Sequence, residues 1–201
     1  SDVCSSDLFN YESVVVGSHK FYSNFLNIGT RLSNNLNKKS RKKLLLLPQG
    51  TFNEVKEICE LAFLMNFDQF EIILRLHPAL INNKKINKLI KNLKNSSSIK
   101  NLIRLSDENL TNDIIKSDYF LYRGSTSAIE AASFGLTPIY CVSEDPFNSR
   151  LNSLDGISLP GNLKVRDSKD LGNLLKKGIK FDISNIIKEV YSKPISFESL
   201  I

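Results

Sequence analysis

SDYFLYRGSTSAIEAASFGLTPIYCVS, residues 117–143, holds a strand, a hydroxyl-rich turn, a helix and a second strand, and its reading decides the fold. Tyr119 to Tyr122 is a short aromatic and aliphatic run, and Arg123-Gly124 breaks it. Ser125, Thr126 and Ser127 then precede an Ala-rich helix that ends at Gly135. Ser127 with Glu130 three residues on reads as a capping box, and Ser125 is the other candidate N-cap. Either way, three hydroxyls crowd a helix start, where free N–H groups and the positive end of the helix dipole favour an anion. Capping needs only one of them, so the turn is read as a phosphate site. Pro138 to Val142 forms the strand that follows.

Working upstream, Leu44 to Leu47 is a continuous apolar run, the mark of a strand covered on both faces. It ends in Pro48-Gln49-Gly50, and Thr51 with Glu54 forms a second capping box opening a helix whose stripe is Val55, Ile58, Cys59, Ala62 and Phe63. The next strand, Phe70 to Leu76, runs into Arg75-Leu76-His77-Pro78, with Arg75 and His77 on one side by the two-residue period. A helix carrying Ile86, Leu89, Ile90 and Leu93 follows, then a strand at Leu102 to Leu105 and a short helix with Leu110, Ile114 and Ile115. Four strand-then-helix units thus lead into the fifth strand, which predicts a doubly wound, Rossmann-like α/β fold with a parallel sheet. Leu163 to Val165, or Ile157 to Leu159, supplies a last edge strand. Helices are expected from Ser168, with Leu171, Leu174 and Leu175 inward, and from Ile183 to Tyr191.

The other boundaries follow from composition. Residues 1–8, SDVCSSDL, resemble a translated sequencing adapter and are set aside as non-native, which makes the chain a fragment. Residues 9–43 hold a short strand at Ser13 to Val16, an amphipathic stretch and a basic linker, expected to be the end of a missing amino-terminal domain. The main domain is 44–180 and a terminal helix and tail occupy 181–201. The net charge of +6 suits an anionic ligand or surface. No stretch reaches the roughly 18 apolar residues a membrane span requires, and no secretory signal opens the chain. A cytoplasmic place is expected, with the basic run able to meet anionic headgroups at the inner face of the membrane. Cys59 and Cys141 fall in apolar contexts and read as buried thiols.

Ligands of an open parallel sheet bind beyond the carboxyl ends of its strands. That rule selects Gln49, Gly50 and Thr51; His77; Ser106 and Asp107; Arg123, Gly124, Ser125, Thr126 and Ser127; and Ser143 to Asp145. Arg75 lies mid-strand and Arg123 nearer the mouth. Neither G-x-x-x-x-G-K-[ST] nor G-x-G-x-x-G occurs, which argues against a nucleotide triphosphatase and a dinucleotide oxidoreductase. There is no Asp-x-Asp pair, so a donor phosphate would be neutralised by His, Arg, hydroxyls and helix ends, without metal. With two histidines and no nucleophile-elbow sequence, a hydrolase triad has no support. No cofactor and no nucleic-acid partner are expected.

RLHP at 75–78, DYFLYRGSTSAIEAASFGLTPIY at 118–140 and KDLGNLLKKG at 169–178 resemble the carboxy-terminal half of GT-B glycosyltransferases. They are most similar to enzymes building bacterial surface carbohydrate, including sialyl- and polysialyltransferase-like families with a His-Pro motif. The likeness covers 44 to about 180, and VVVGSHKFYSNF at 14–25 resembles the end of such an enzyme's first half. It implies that His77 contacts the donor phosphate and assists departure of the nucleotide, and that Ser125, Thr126 and Ser127 hold phosphate oxygens. Glu130 would accept ribose hydroxyls, and Leu105-Ser106-Asp107 would read the base. The implied activity is that of the nucleotide-sugar half of a metal-independent, inverting-type transferase, with a CMP-activated acidic sugar as donor. Its acceptor would be a carbohydrate or lipid-linked glycan, and the base that activates it would lie in the other half. Alternative readings are a sugar-nucleotide epimerase of the same fold, a CDP-glycerol-type glycerophosphotransferase and a non-catalytic interaction domain.

Overall fold

The computed structural model describes residues 41–65, 70–96, 103–144, 152–154, 157 and 159–191. The strand expected at 13–16 and most of the basic linker lie outside them. Lys42 and Lys43, counted with the linker, instead open the first strand.

Six strands form one all-parallel sheet in the order β3-β2-β1-β4-β5-β6. They are β1 (Lys42–Leu47), β2 (Phe70–Leu74), β3 (Ile103–Leu105), β4 (Tyr119–Tyr122), β5 (Thr137–Cys141) and β6 (Lys164–Val165). The helices are α1 (Phe52–Phe63), α2 (Lys84–Ser96), α3 (Leu110–Lys116), α4 (Ser127–Ser133), α5 (Ser168–Lys177) and α6 (Ser184–Tyr191). This is the doubly wound, Rossmann-like arrangement the alternation predicted. The edge strand is the Leu163–Val165 candidate, shortened to two residues.

The unbroken leucine run explains why β1 is central. Leu44 and Leu46 enter the core shared with α1, α2 and α5, while Leu45 and Leu47 enter the core shared with α3, α4 and α6. All four are 0–2% exposed, so each contributes the roughly 1.5–3 kcal/mol of a fully buried aliphatic side chain. A strand with water on one face would have alternated.

Local signals set the ends. Thr51 caps α1 through its hydroxyl, which accepts from Glu54 N at 3.3 Å, and Asp167 caps α5 through Asp170 N at 2.8 Å. Gly135 lies just beyond α4 at φ 73°, and the Asp182 carboxylate stands 3.0 Å from where a Cβ would project. The left-handed backbone therefore favours glycine there, and the space beside it is tight. β2 stops at Leu74, two residues short of the expected Leu76. Arg75 N still donates to Leu46 O at 3.1 Å, and the chain then enters the turn Pro78–Leu80. No helix of the described residues is long and apolar enough to cross a membrane.

Candidate functional site

β1 stands between β2 and β4, and the helices that follow β1 and β4 lie on opposite faces of the sheet. The carboxyl ends of β1 and β4 therefore flank the point where crossovers part, which is where a doubly wound sheet opens a crevice. Three segments meet there: Pro48–Thr51 after β1, Arg123–Ser127 after β4, and His77 just past β2.

Glu54 joins the first two. Its side chain does not complete the expected capping box by returning to Thr51 N. Instead Oε1 accepts from Gln49 N at 3.0 Å and, across the crevice, from Gly124 N at 3.5 Å. The carboxylate is 4% exposed. Burial pushes its pKa up, against the lowering pull of those two N–H bonds and of the nearby Arg123 charge.

His77 stands at the same edge of the sheet, beside the β1 turn. A Cβ placed on Gly50 would lie 3.5 Å from the imidazole, so the ring sits against the β1 turn. Nδ1 accepts from Ala79 N at 3.3 Å, which puts the proton of the neutral ring on Nε2. The side chain is exposed, and Nε2–H is thus a donor facing solvent. Arg75 and His77 do not share a side as the strand period implied. With β2 ended at Leu74, Arg75 turns toward α3 and His77 toward β1.

The hydroxyl turn also departs from its predicted cap. Neither Ser125 nor Ser127 is the N-cap of α4. Thr126 holds that place in a helical conformation and makes no side-chain cap bond. Ala128 N donates to Ser125 O and Ile129 N to Thr126 O, both at 3.1 Å, so the backbone closes the first turn by itself. Among the described residues no hydrogen bond engages the hydroxyls of Ser125, Thr126 or Ser127. Glu130 lies in the first turn of α4 and is 6% exposed.

Arg123 is where the sequence reading needs correcting, because it is more deeply placed than Arg75. Its side chain is 1% exposed, against 27% for Arg75. Nε donates to Cys141 O at 3.0 Å, Nη2 contacts Cys141 Sγ at 3.2 Å, and Nη1 lies 2.6 Å from Glu57 Oε2. The last is an ion pair without hydrogen-bond alignment. The guanidinium therefore fastens the ends of β4 and β5 to α1. Beside it a cavity of about 400 Å³ opens between α1 and the start of α5, reached by Cys141–Glu144, Arg166 and Asp167. Burial raises the Cys141 pKa against the opposing effect of Arg123. Cys59 is pushed up to about 12 by burial, so both are neutral thiols, as the sequence indicated.

At the far end of the edge, Ser106 is tied down. Its hydroxyl donates to Asp113, a fully buried carboxylate that also holds Arg75 at 3.0 Å and Arg104 at 3.4 Å. Arg75 further donates to Glu108 O at 2.6 Å. This network pins the loop after β3. Glu54 was read only as a capping residue, and Glu57 and Asp113 went unrecognised, because their partners Gly124, Arg123 and Arg75 lie 70, 66 and 38 positions away, beyond any local pattern.

No protein-family model matches the chain, and no curated protein matches it. Among solved structures it is similar to HepE of Anabaena in complex with UDP and glucose, with 13% identity and a TM-score of 0.54 over 86% of this chain. It is also similar to the wall teichoic acid polymerase TagF, at 17% identity and a TM-score of 0.49 over 83%. A third is the UDP-GlcNAc 2-epimerase of Neisseria meningitidis bound to UDP-GlcNAc, at 16% identity and 0.47 over 82%. At 13% identity the likeness to HepE shows the fold alone. The chain spans about half of HepE, 50% of its length, and 41% of TagF.

Proposed function

We propose that this domain binds a nucleotide-activated sugar at the carboxyl edge of its sheet and serves as the donor half of a metal-independent glycosyltransferase. The supporting observation is the meeting of three segments at the switch point: the His77 ring against Gly50, and Glu54 spanning Gln49 and Gly124. A diphosphate lying there finds the Nε2–H of His77 on one side and, on the other, the hydroxyls of Ser125, Thr126 and Ser127, which are uncommitted among the described residues. Each bond to a charged oxygen contributes about 1.5–3 kcal/mol. His77 donates to the leaving phosphate as the glycosidic bond breaks, which stabilises the charge that develops on the nucleotide. Gly50, Gly124 and Thr51 shape the turns, while Ser106 and Leu105 border the base and Glu130 the ribose. The surface-polysaccharide role, the CMP-activated acidic sugar and the acceptor belong to the same proposal, as does a second lobe carrying the catalytic base. A peripheral place at the inner face of a membrane accords with α2, which exposes Lys84, Lys85, Lys88 and Lys91 and has no acidic residue.

Calorimetric titration of the chain with CMP, CDP, UDP and GDP tests this, with UDP included because the HepE structure contains it. One nucleotide is expected to bind weakly, since a few such bonds offset about 4–15 kcal/mol of association cost. His77→Ala should weaken that binding about tenfold, the loss of one charge-assisted bond. Unchanged affinity removes His77 from the site, and no binding by any nucleotide defeats the proposal.

A further inference from the structure

A glutamate at the third position of a helix has an ordinary use, which is to return to the N-cap N–H. Glu54 forgoes it. Its Oε1 takes Gln49 N, two residues before the cap, and Gly124 N, on the far side of the switch point. A 4% exposed carboxylate must be compensated, and Arg123 acts on it only through space, because the guanidinium is engaged by Glu57 and Cys141. The two N–H groups are thus its hydrogen-bond partners among the described residues. They are also backbone donors of the two turns that flank the switch point, the kind of group an anion there would use.

We infer that Glu54 is a positioning residue of the crevice: its buried carboxylate holds the N–H groups of Gln49 and Gly124, fixing the separation of the two turns and leaving an incoming oxyanion to Ser125–Ser127 and His77. The clamp rests on geometry alone, and its effect on a ligand rests on the nucleotide reading above. Two anions do not share one pair of donors, so the phosphate is displaced from the strand ends toward the hydroxyls. The same negative charge opposes the ligand modestly while the geometry it enforces favours it. Replacement by an uncharged acceptor and by no acceptor should therefore act in opposite directions.

Glu54→Gln retains Oε1 as an acceptor, and Glu54→Ala removes it. Amide hydrogen exchange on the whole chain should show Gln49 and Gly124 protected in the parent and in Glu54→Gln. In Glu54→Ala both should exchange about tenfold faster or more. The interior amides of Leu45 and Phe120 should be unaffected. Equal exchange at Gln49 and Gly124 in all three proteins overturns the clamp. Should Glu54→Ala also lose protection at Leu45 and Phe120, Glu54→Asp, one methylene shorter, takes its place under the same two outcomes. Titration with CMP and UDP then reads the consequence. Glu54→Ala should bind about tenfold more weakly, and Glu54→Gln at least as tightly as the parent. A merely structural glutamate would lower thermal stability and leave affinity unchanged, and that result sinks the positioning role. A parent chain that binds no nucleotide refutes the nucleotide reading, and the amide exchange still decides the clamp.

Discussion

The turns after β1 and β4 stand beside one another at the same edge of the sheet, and they commit their hydroxyls differently. After β1, the Thr51 hydroxyl accepts from Glu54 N and starts a helix of twelve residues. After β4, three hydroxyls stand at the start of a helix of seven, and the cap residue among them makes no side-chain cap bond. The short helix closes its first turn by backbone alone, while the long one needs its threonine. A hydroxyl bonded to its own helix serves folding, and one left over is available to a ligand. On the proposed reading, this difference separates a folding turn from a ligand turn although their sequences look alike.

The largest effect is expected where the β4 turn is anchored. Arg123→Ala removes a wholly buried guanidinium, empties its volume and leaves Cys141 O without its donor, at a cost of about 3 kcal/mol or more. Urea unfolding measures it, and a loss within error would mean that the β4 turn needs no such anchor. Next comes the simultaneous change of Ser125, Thr126 and Ser127 to alanine. Nucleotide affinity should fall about tenfold or more while stability moves by less than about 0.5 kcal/mol. A large stability loss with affinity retained would reverse the contrast. Thr51→Ala should do the opposite, costing about 1 kcal/mol of stability with affinity nearly unchanged, as paired melting and titration would show.

The smallest effect concerns pH. Burial places the Glu54 pKa above that of an unfolded glutamate, so the folded chain holds this proton more tightly. The stability it contributes is complete below the ordinary glutamate value and is lost as pH rises through the folded value. Urea midpoints of Glu54→Gln relative to the parent should therefore shift in the variant's favour from about pH 4 upward. A constant difference would show that the carboxylate is not perturbed.

Periodic signals carried most of the fold. Leu44 to Leu47 announced a strand buried on both sides, Tyr119 to Tyr122 was delimited to the residue, and Thr51 and Gly135 marked helix ends by chemistry that acts within four positions. The site was legible only where it is also local. The hydroxyl run was visible, but its cap was misplaced, since choosing among three adjacent hydroxyls depends on how the backbone leaves β4. Arg123 was placed nearer the mouth than Arg75 because it stands just past a strand. Its burial depends on Cys141 and Glu57, brought to it by β5 and α1. The side assigned to His77 failed for a related reason, because a period of two holds only while the strand lasts, and β2 ends three residues earlier.

Thr51, Glu54 and Glu57 recur every third residue along the first two turns of α1, and each meets a different obligation: a cap, a clamp and an ion pair. One inserted residue between Phe52 and Asn53 would rotate everything after it by about 100°. Glu54 and Glu57 would swing away together while the composition of the helix scarcely changed. What this edge demands of α1 is phase, so a shift in helical register would be harsher here than most single replacements.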